Sequence, residues 1–490
     1  MKVVVQRPSS PKHGVWREHV DFLFDAELRP LGRGWHVLES LEPLGPLTDE
    51  KPFPVLHKGY FDAHLHVGWM GLMELDVDLR AFTRPEEIQS ALTSRVESGA
   101  TFIRAYGWDE TKLGLSLEQV TDAAKKFLPA SIPAILYRVC GHAALASPPL
   151  LASAGLEPAK PFVSDRDFRR LADHIPPPTS AELREAFLIG QRKLLDVGVS
   201  AVGDMSLDDD AVSAIRDVAS SGELKIDVVG VFDGAQALAT MKSGPVNVAN
   251  SMPIGPLDRA AIFSVRHWKR YLDGSFGSRT AWLSRDYSDR PERGHSLVET
   301  LPLLGAAREA LRSGFHLSFH AIGDAALDQV LEVGERLSDL MRERSRIPDA
   351  ASTATRHRIE HAQLIRDDQI ARLVEQGHWT LCVQPNHRVA DEGFSRSRLG
   401  PTRLRDEAYR MGTLLDAGLS VAMSSDAPVD SPDPEYLLRS ACSHENPRER
   451  VSFYEAIWRY TTASRLDLGL APGRIAVGST VRLTDPAVIL

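Results

Sequence analysis

His316-Leu317-Ser318-Phe319-His320-Ala321-Ile322-Gly323-Asp324 opens as a short run of strand type and turns at Ile322-Gly323. From Asp324 to about Leu337 apolar residues then recur at helical spacing. The same unit of apolar run, polar loop and amphipathic helix repeats along most of the chain, which argues for parallel strands joined by crossover helices. Eight candidate strands follow from it: Gly59–His66, Val197–Asp204, Ile226–Phe232, Ile262–Leu272, His316–Ala321, His357–His361, Trp379–Gln384 and Leu419–Ser425. Thr179-Ser180-Ala181-Glu182 reads as a capping box opening a helix to about Leu195, and Asp367 to about Glu375 has helical spacing. This reading predicts an α/β protein. A (β/α)₈ barrel satisfies it, and so does a doubly wound sheet.

More than 100 residues separate the first two strands, far more than one connection needs. The stretch from about 68 to 178 has its own strands, Thr101–Tyr106 and Ala134–Val139, and is expected to form an inserted α/β subdomain. Residues 1–57 are rich in Pro and Gly, with strand-like pieces such as Val20–Phe24.

The 490 residues carry 57 Lys+Arg against 66 Asp+Glu, a formal charge of −9 without a long basic run. That argues against nucleic acid or an anionic membrane surface as the main partner and says nothing specific about a substrate. The start, Met1 to Pro8, has an apolar run too short for a signal peptide, and no run of 18 apolar residues occurs. Cys140, Cys382 and Cys442 are odd in number and far apart. They fit reduced thiols in a cytoplasmic protein better than a disulfide framework or a zinc ribbon.

His64-Leu65-His66 ends the first strand. Residues i and i+2 share a strand face, so both imidazoles can grip one cation. With 17 histidines in the chain, about 0.6 such pairs arise by chance, so the pair alone is weak. His320 ends the fifth strand, His361 ends the sixth and Asp426 follows the eighth. In a barrel all of these positions lie on the catalytic face. Four imidazoles and a carboxylate from different strands suit zinc, nickel, iron or manganese. Two cations about 3.5–4 Å apart call for a further anion. Lys269 on the fourth strand supplies one if it reacts with carbon dioxide to a carbamate; the alternative, which the residue alone favours, is a surface or salt-bridged lysine.

The blocks Phe61-Asp62-Ala63-His64-Leu65-His66, Lys269 through Asp273-Gly274-Ser275 to Ala281, and Phe319-His320-Ala321-Ile322-Gly323-Asp324 resemble one family. So do Arg358-Ile359-Glu360-His361-Ala362-Gln363, Gln384-Pro385-Asn386-His387 and Ser425-Asp426-Ala427-Pro428. The resemblance is to the amidohydrolase superfamily, in the branch of amidohydrolase family 3-like enzymes that contains N-substituted formamide deformylases, and it spans roughly residues 58–480.

It implies a TIM barrel over 58–469 and a small β-sandwich domain composed of residues 1–57 and 470–490. It also implies two divalent ions, zinc foremost. His64 and His66 would hold the buried ion, His320 and His361 the exposed one. Carbamylated Lys269 would bridge them, while Asp426 completes the buried site and serves as general base. The reaction implied is hydrolysis of the C–N bond of a linear amide, an N-formyl or N-acyl amine. A mononuclear deaminase-like or esterase-like hydrolase and a non-catalytic regulatory homologue are the alternatives, and all six ligand positions are occupied.

His142, Trp108 and His387 are the substrate-facing candidates, each against a packing role; Trp69 and Tyr137 are weighed with Trp108 as pocket aromatics. A homodimer is a candidate assembly. The departures fall at the ends. His57-Lys58-Gly59-Tyr60 stands where relatives carry Pro-Gly, and Val481-Arg482 replaces Ala-Asp after Gly473 to Thr480.

Overall fold

The computed structural model describes residues 28–30, 34–39, 55–139, 143–249, 260–346, 356–470 and 479–489. The expected strand piece at Val20–Phe24 lies outside them. The chain divides into two compact units, residues 1–66 with 191–490, and Val67–Gly190.

In the first unit eight parallel strands follow one another: β1 Tyr60–Leu65, β2 Val199–Leu207, β3 Asp227–Asp233, β4 Ile262–Tyr271, β5 His316–Ala321, β6 His357–His361, β7 Trp379–Val383 and β8 Ser420–Met423. Their hydrogen-bonded order, β8-β7-β6-β5-β4-β3-β2-β1, is that of a barrel and not of a doubly wound sheet. The strands are buried along almost their whole length, as parallel strands covered on both faces require.

No β1–β8 ladder closes the circle among the described residues; the seam is sealed just beyond β8. Asp426 N donates to His64 O and His66 N to Ala427 O, both at 2.8 Å. The Asp62 carboxylate accepts Ser425 N at 3.0 Å and the Tyr460 hydroxyl at 2.8 Å. A carboxylate thus does what a strand backbone would do, and burial raises its pKa to about 6. Val246–Ala249 pairs antiparallel with β4, an element that periodicity did not announce.

Helices stand where the pattern put them, at Asp324–Arg336 and Asp367–Gln376. A small antiparallel sheet joins Leu28–Pro30, Trp35–Leu38, Thr480–Thr484 and Val55–His57, so both ends of the chain share it. The atypical Arg482 lies over the Trp35 ring at 5.7 Å. Thr484 Oγ1 ties this sheet to the barrel through His57 Nε2, at 2.9 Å, and the Tyr60 hydroxyl.

The second unit has a five-stranded sheet, Val77–Asp78, Ile103–Trp108, Ala134–Arg138, Ala143–Ala146 and Phe162–Ser164. It ends at Gly190 rather than near 178, and glycines explain the extension. Helix Ser180–Val197, opened by Thr179 and Glu182 in mutual capping bonds, packs its first half on helix Val67–Leu75. A Cβ on Gly71 would stand 1.7 Å from Ala186 O, and one on Gly190 2.3 Å from Val67 O. Only glycine permits that approach. No helix among the described residues is long and apolar enough to cross a membrane.

Candidate metal centre

The C-terminal ends of β1, β4, β5, β6 and β8 bring His64, His66, Lys269, His320, His361 and Asp426 to one end of the barrel. The ligand atoms of His64, His361 and Asp426 lie within 4.8 Å of one another. Asp426 Oδ1 is 3.3 Å from His64 Nε2 and 3.5 Å from His66 Nε2. The His361 ring centroid stands 4.8 Å from that of His64 and 4.5 Å from that of His320.

The convergence depends on backbone that breaks strand alternation. Glu360 and His361 are neighbours, yet both side chains reach His64. His361, Ala362 and Asp426 have φ of 76°, 46° and 60°, in the left-handed region that non-glycine residues seldom enter. Such conformations persist where the surroundings over-determine them, commonly at functional sites.

Three of the four imidazoles have one nitrogen engaged away from the cluster. His64 Nδ1 meets Glu360 Oε2 at 2.7 Å, His361 Nδ1 meets Gln384 Oε1 at 2.9 Å, and His320 Nε2 meets Gly274 O at 3.1 Å. All three partners are acceptors, so those nitrogens carry the proton and the other nitrogen of each ring keeps a lone pair for a cation. Glu360 is itself held by Arg358 Nε at 2.6 Å and Ser318 Oγ at 2.7 Å, and Gln384 Nε2 donates to Ser424 Oγ at 2.9 Å.

Burial disfavours the imidazolium at three of the rings. It lowers His66, brings His320 to about 3 and puts His361 well below the usual range, so these three stay in the neutral form that binds metals. The Asp426 carboxyl lies well below the usual carboxylate range although burial opposes its charge, so it stands ionised among these rings.

Lys269 is 1% exposed, with Nζ 4.6 Å from the centre of the Tyr271 ring. It makes no hydrogen bond or ion pair among the described residues, so the salt-bridged alternative has no partner there. The imidazole lone pairs and the ionised carboxylate fit a divalent cation, whereas Lys269 as a free ammonium would oppose one and would join the set only as an anion.

The substrate-facing candidates fare differently. His387 joins the cluster, its ring stacked on His361 at 6.2 Å and its Nε2 3.8 Å from Asp426 Oδ2. His142 lies outside the described residues. Trp108 is corrected: it is 1% exposed in the core of the second unit, with Nε1 donating to Leu136 O at 2.8 Å. A side chain so enclosed packs its own subdomain. The sequence reading assigned no role to Glu360, Arg358, Gln384 or Gln363, although all four stand inside the family-like blocks. Their signal was adjacency to a ligand in the chain, and only the fold turns adjacency into an orienting contact.

Residues 59–480 match the family described as the amidohydrolase family. The chain is 26% identical over 462 residues to Protein LONG AFTER FAR-RED 3 of Arabidopsis thaliana, covering 85% of this chain and 76% of that one. It is 26% identical over 456 residues to the putative amidohydrolase YtcJ of Bacillus subtilis (strain 168), covering 84% and 79%. Among solved structures it resembles an uncharacterized metal-dependent hydrolase from Pyrococcus horikoshii OT3 with a TM-score of 0.71 and 25% identity, over 89% of this chain and 87% of the other. A counterpart from Pyrococcus furiosus gives 0.68 and 26%, over 89% and 88%. With the barrel order, the converging ligands and the matched span in agreement, the chain belongs to the amidohydrolase family of metal-dependent hydrolases.

Proposed function

We propose that the chain hydrolyses the C–N bond of a linear amide, an N-formyl or N-acyl amine of small size, as the formamide deformylase branch does. The observation that carries this reading is Asp426, whose carboxylate lies within reach of both His64 and His66. His64, His66 and Asp426 would hold one divalent ion, His320 and His361 a second, and carbamylated Lys269 would bridge them, with zinc the first candidate. A bound divalent ion supplies Lewis acidity toward the acyl oxygen and lowers the pKa of water toward about 7.

Asp426, held ionised, accepts the proton of the attacking water and returns it to the leaving amine. His387 faces the same carboxylate and is available to orient substrate. The partner is a small molecule, with neither nucleic acid nor membrane, in a cytoplasmic protein for which a homodimer is a compatible assembly.

A second reading has one observation in its favour. The tightest donor set is the trio His64, His361 and Asp426, which suits a single ion with an open position, as in a deaminase-like or esterase-like centre.

Metal content per chain decides between them, measured on protein purified without chelators or a histidine tag and followed by turnover of N-formyl and N-acyl amines. Two ions per chain with amide hydrolysis upholds the first reading. One ion with deamination or ester cleavage replaces it with the second, and no metal after reconstitution with zinc and bicarbonate removes both.

A further inference from the structure

Gln363 follows the strained turn at His361 and Ala362 and is 6% exposed. Its backbone is fixed by Tyr409 N, which donates to Gln363 O at 2.9 Å from a residue itself at φ 52°. Its side chain lies 3.0 Å from His387 Nδ1 through the amide nitrogen. That nitrogen only donates, so Nδ1 accepts and the ring proton belongs on Nε2.

The charge nearby agrees with this assignment. Nε2 faces Asp426 Oδ2 at 3.8 Å, where a bare lone pair would meet a carboxylate. At that separation the N–H is not hydrogen-bonded, and His387 Nε2 is buried with no partner among the described residues. His387 as a whole is 8% exposed. A buried N–H without an acceptor is unfavourable, and it points to a ligand atom that completes it.

We infer that Gln363 is a positioning residue that holds the His387 ring with Nδ1 as acceptor and its N–H on Nε2, presenting a fixed hydrogen-bond donor to an acceptor oxygen of the substrate beside Asp426. The inference rests on the hydrolase reading of this site and deepens it by separating two roles. Asp426 moves the proton, and His387, with its second nitrogen already engaged, only donates a hydrogen bond. The substrate class narrows to molecules that carry a carbonyl or carboxylate oxygen at that place.

Ring ¹⁵N shifts of histidine-labelled protein with its metals in place give the test, with the His387 signals assigned by their loss in His387→Gln. The wild type is expected to show Nε2–H. Gln363→Glu offers only acceptors toward Nδ1, and a proton on Nδ1 is expected there. An unchanged Nε2–H tautomer in that variant overturns the lock.

In turnover, His387→Phe and Gln363→Met are each expected to lose about tenfold in kcat/KM, the loss of one hydrogen bond. His387→Gln keeps an amide N–H near the Nε2 position and is expected to stay within about threefold of wild type. Equal losses in His387→Gln and His387→Phe overturn the donor role. If no amide is turned over, the tautomer measurement still reads the lock, so its failure and that of the hydrolase reading remain distinct.

Discussion

At the C-terminal ends of the strands, His64, His66, His320 and His361 face one carboxylate. At the other end His267 and His316 are level in register on β4 and β5, His357 opens β6, and His378 precedes β7. The second row is more buried than the first, with ring centroids 5.4, 5.2 and 5.8 Å apart in turn. Its surroundings are opposite in kind. Arg266, Arg344 and Arg358 act on the rings of His267, His316 and His357, besides Glu360 on His267, and Arg342 and Arg356 act on His378. His267 Nε2 and His357 Nε2 are spent on the carbonyls of Arg356 and Met341, at 3.2 and 3.1 Å, while neither ring nitrogen of His316 has a hydrogen-bond partner.

Burial and imidazole are therefore not what makes a metal centre. The upper row has an acceptor behind each of three rings and an ionised aspartate in front; the lower row has guanidinium groups, which repel a cation.

The largest expected effect tests the upper row at its carboxylate. Asp426→Asn should lower kcat by about 10³-fold or more while the circular dichroism spectrum stays that of the wild type. Turnover at the wild-type rate would remove the proton-transfer role. Next, Lys269→Ala should lose metal by elemental analysis and regain part of it with short-chain carboxylic acids; unchanged metal content would end the bridging assignment.

Glu360→Gln probes the acceptor behind His64. It should weaken metal binding about 10- to 100-fold in chelator competition. It should also destabilise the fold by about 3 kcal/mol, because Arg358 keeps its buried charge with half a partner. Neither effect appearing would make the pair incidental.

The lower row shows itself in acid. His357 is lowered to about 3 by burial, and His267 and His316 fall well below the usual range for the same reason. The unfolded chain takes up protons on these rings as pH falls below about 6.5, and the folded chain does not. Stability should therefore be full above that pH and fall toward pH 3, by about 1.4 kcal/mol per pH unit for each ring. His316→Leu should flatten the slope in urea titrations and leave metal content unchanged. A slope unaltered by that change would mean that His316 is already protonated, or solvated, in the folded protein.

Much of this was readable in advance because barrel strands are short, apolar and rhythmically spaced. The eight proposed strands match the observed ones within a few residues at each end. The adjacency of His64 to His66 and the strand-end positions of His320, His361 and Asp426 were readable for the same reason. Trp108 was misread because an indole at a strand end has the same appearance in a pocket wall and in a subdomain core. The seam between β1 and β8 was illegible because two backbone bonds beyond β8 and one buried carboxylate, Asp62, stand in for a ladder there. Val246–Ala249 was missed because four residues carry no measurable period.

Composition and periodicity settled what is local here: that strands alternate with helices, and which side chains stand at strand ends. Tertiary structure decided which histidines meet. His361 faces the cluster through a left-handed backbone that no strand pattern encodes. His64 keeps a lone pair for a cation because Glu360, nearly three hundred residues away in the chain, takes its other nitrogen. Local periodicity follows from bonding along the chain, whereas a ring's tautomer and direction follow from whichever acceptor the fold brings beside it.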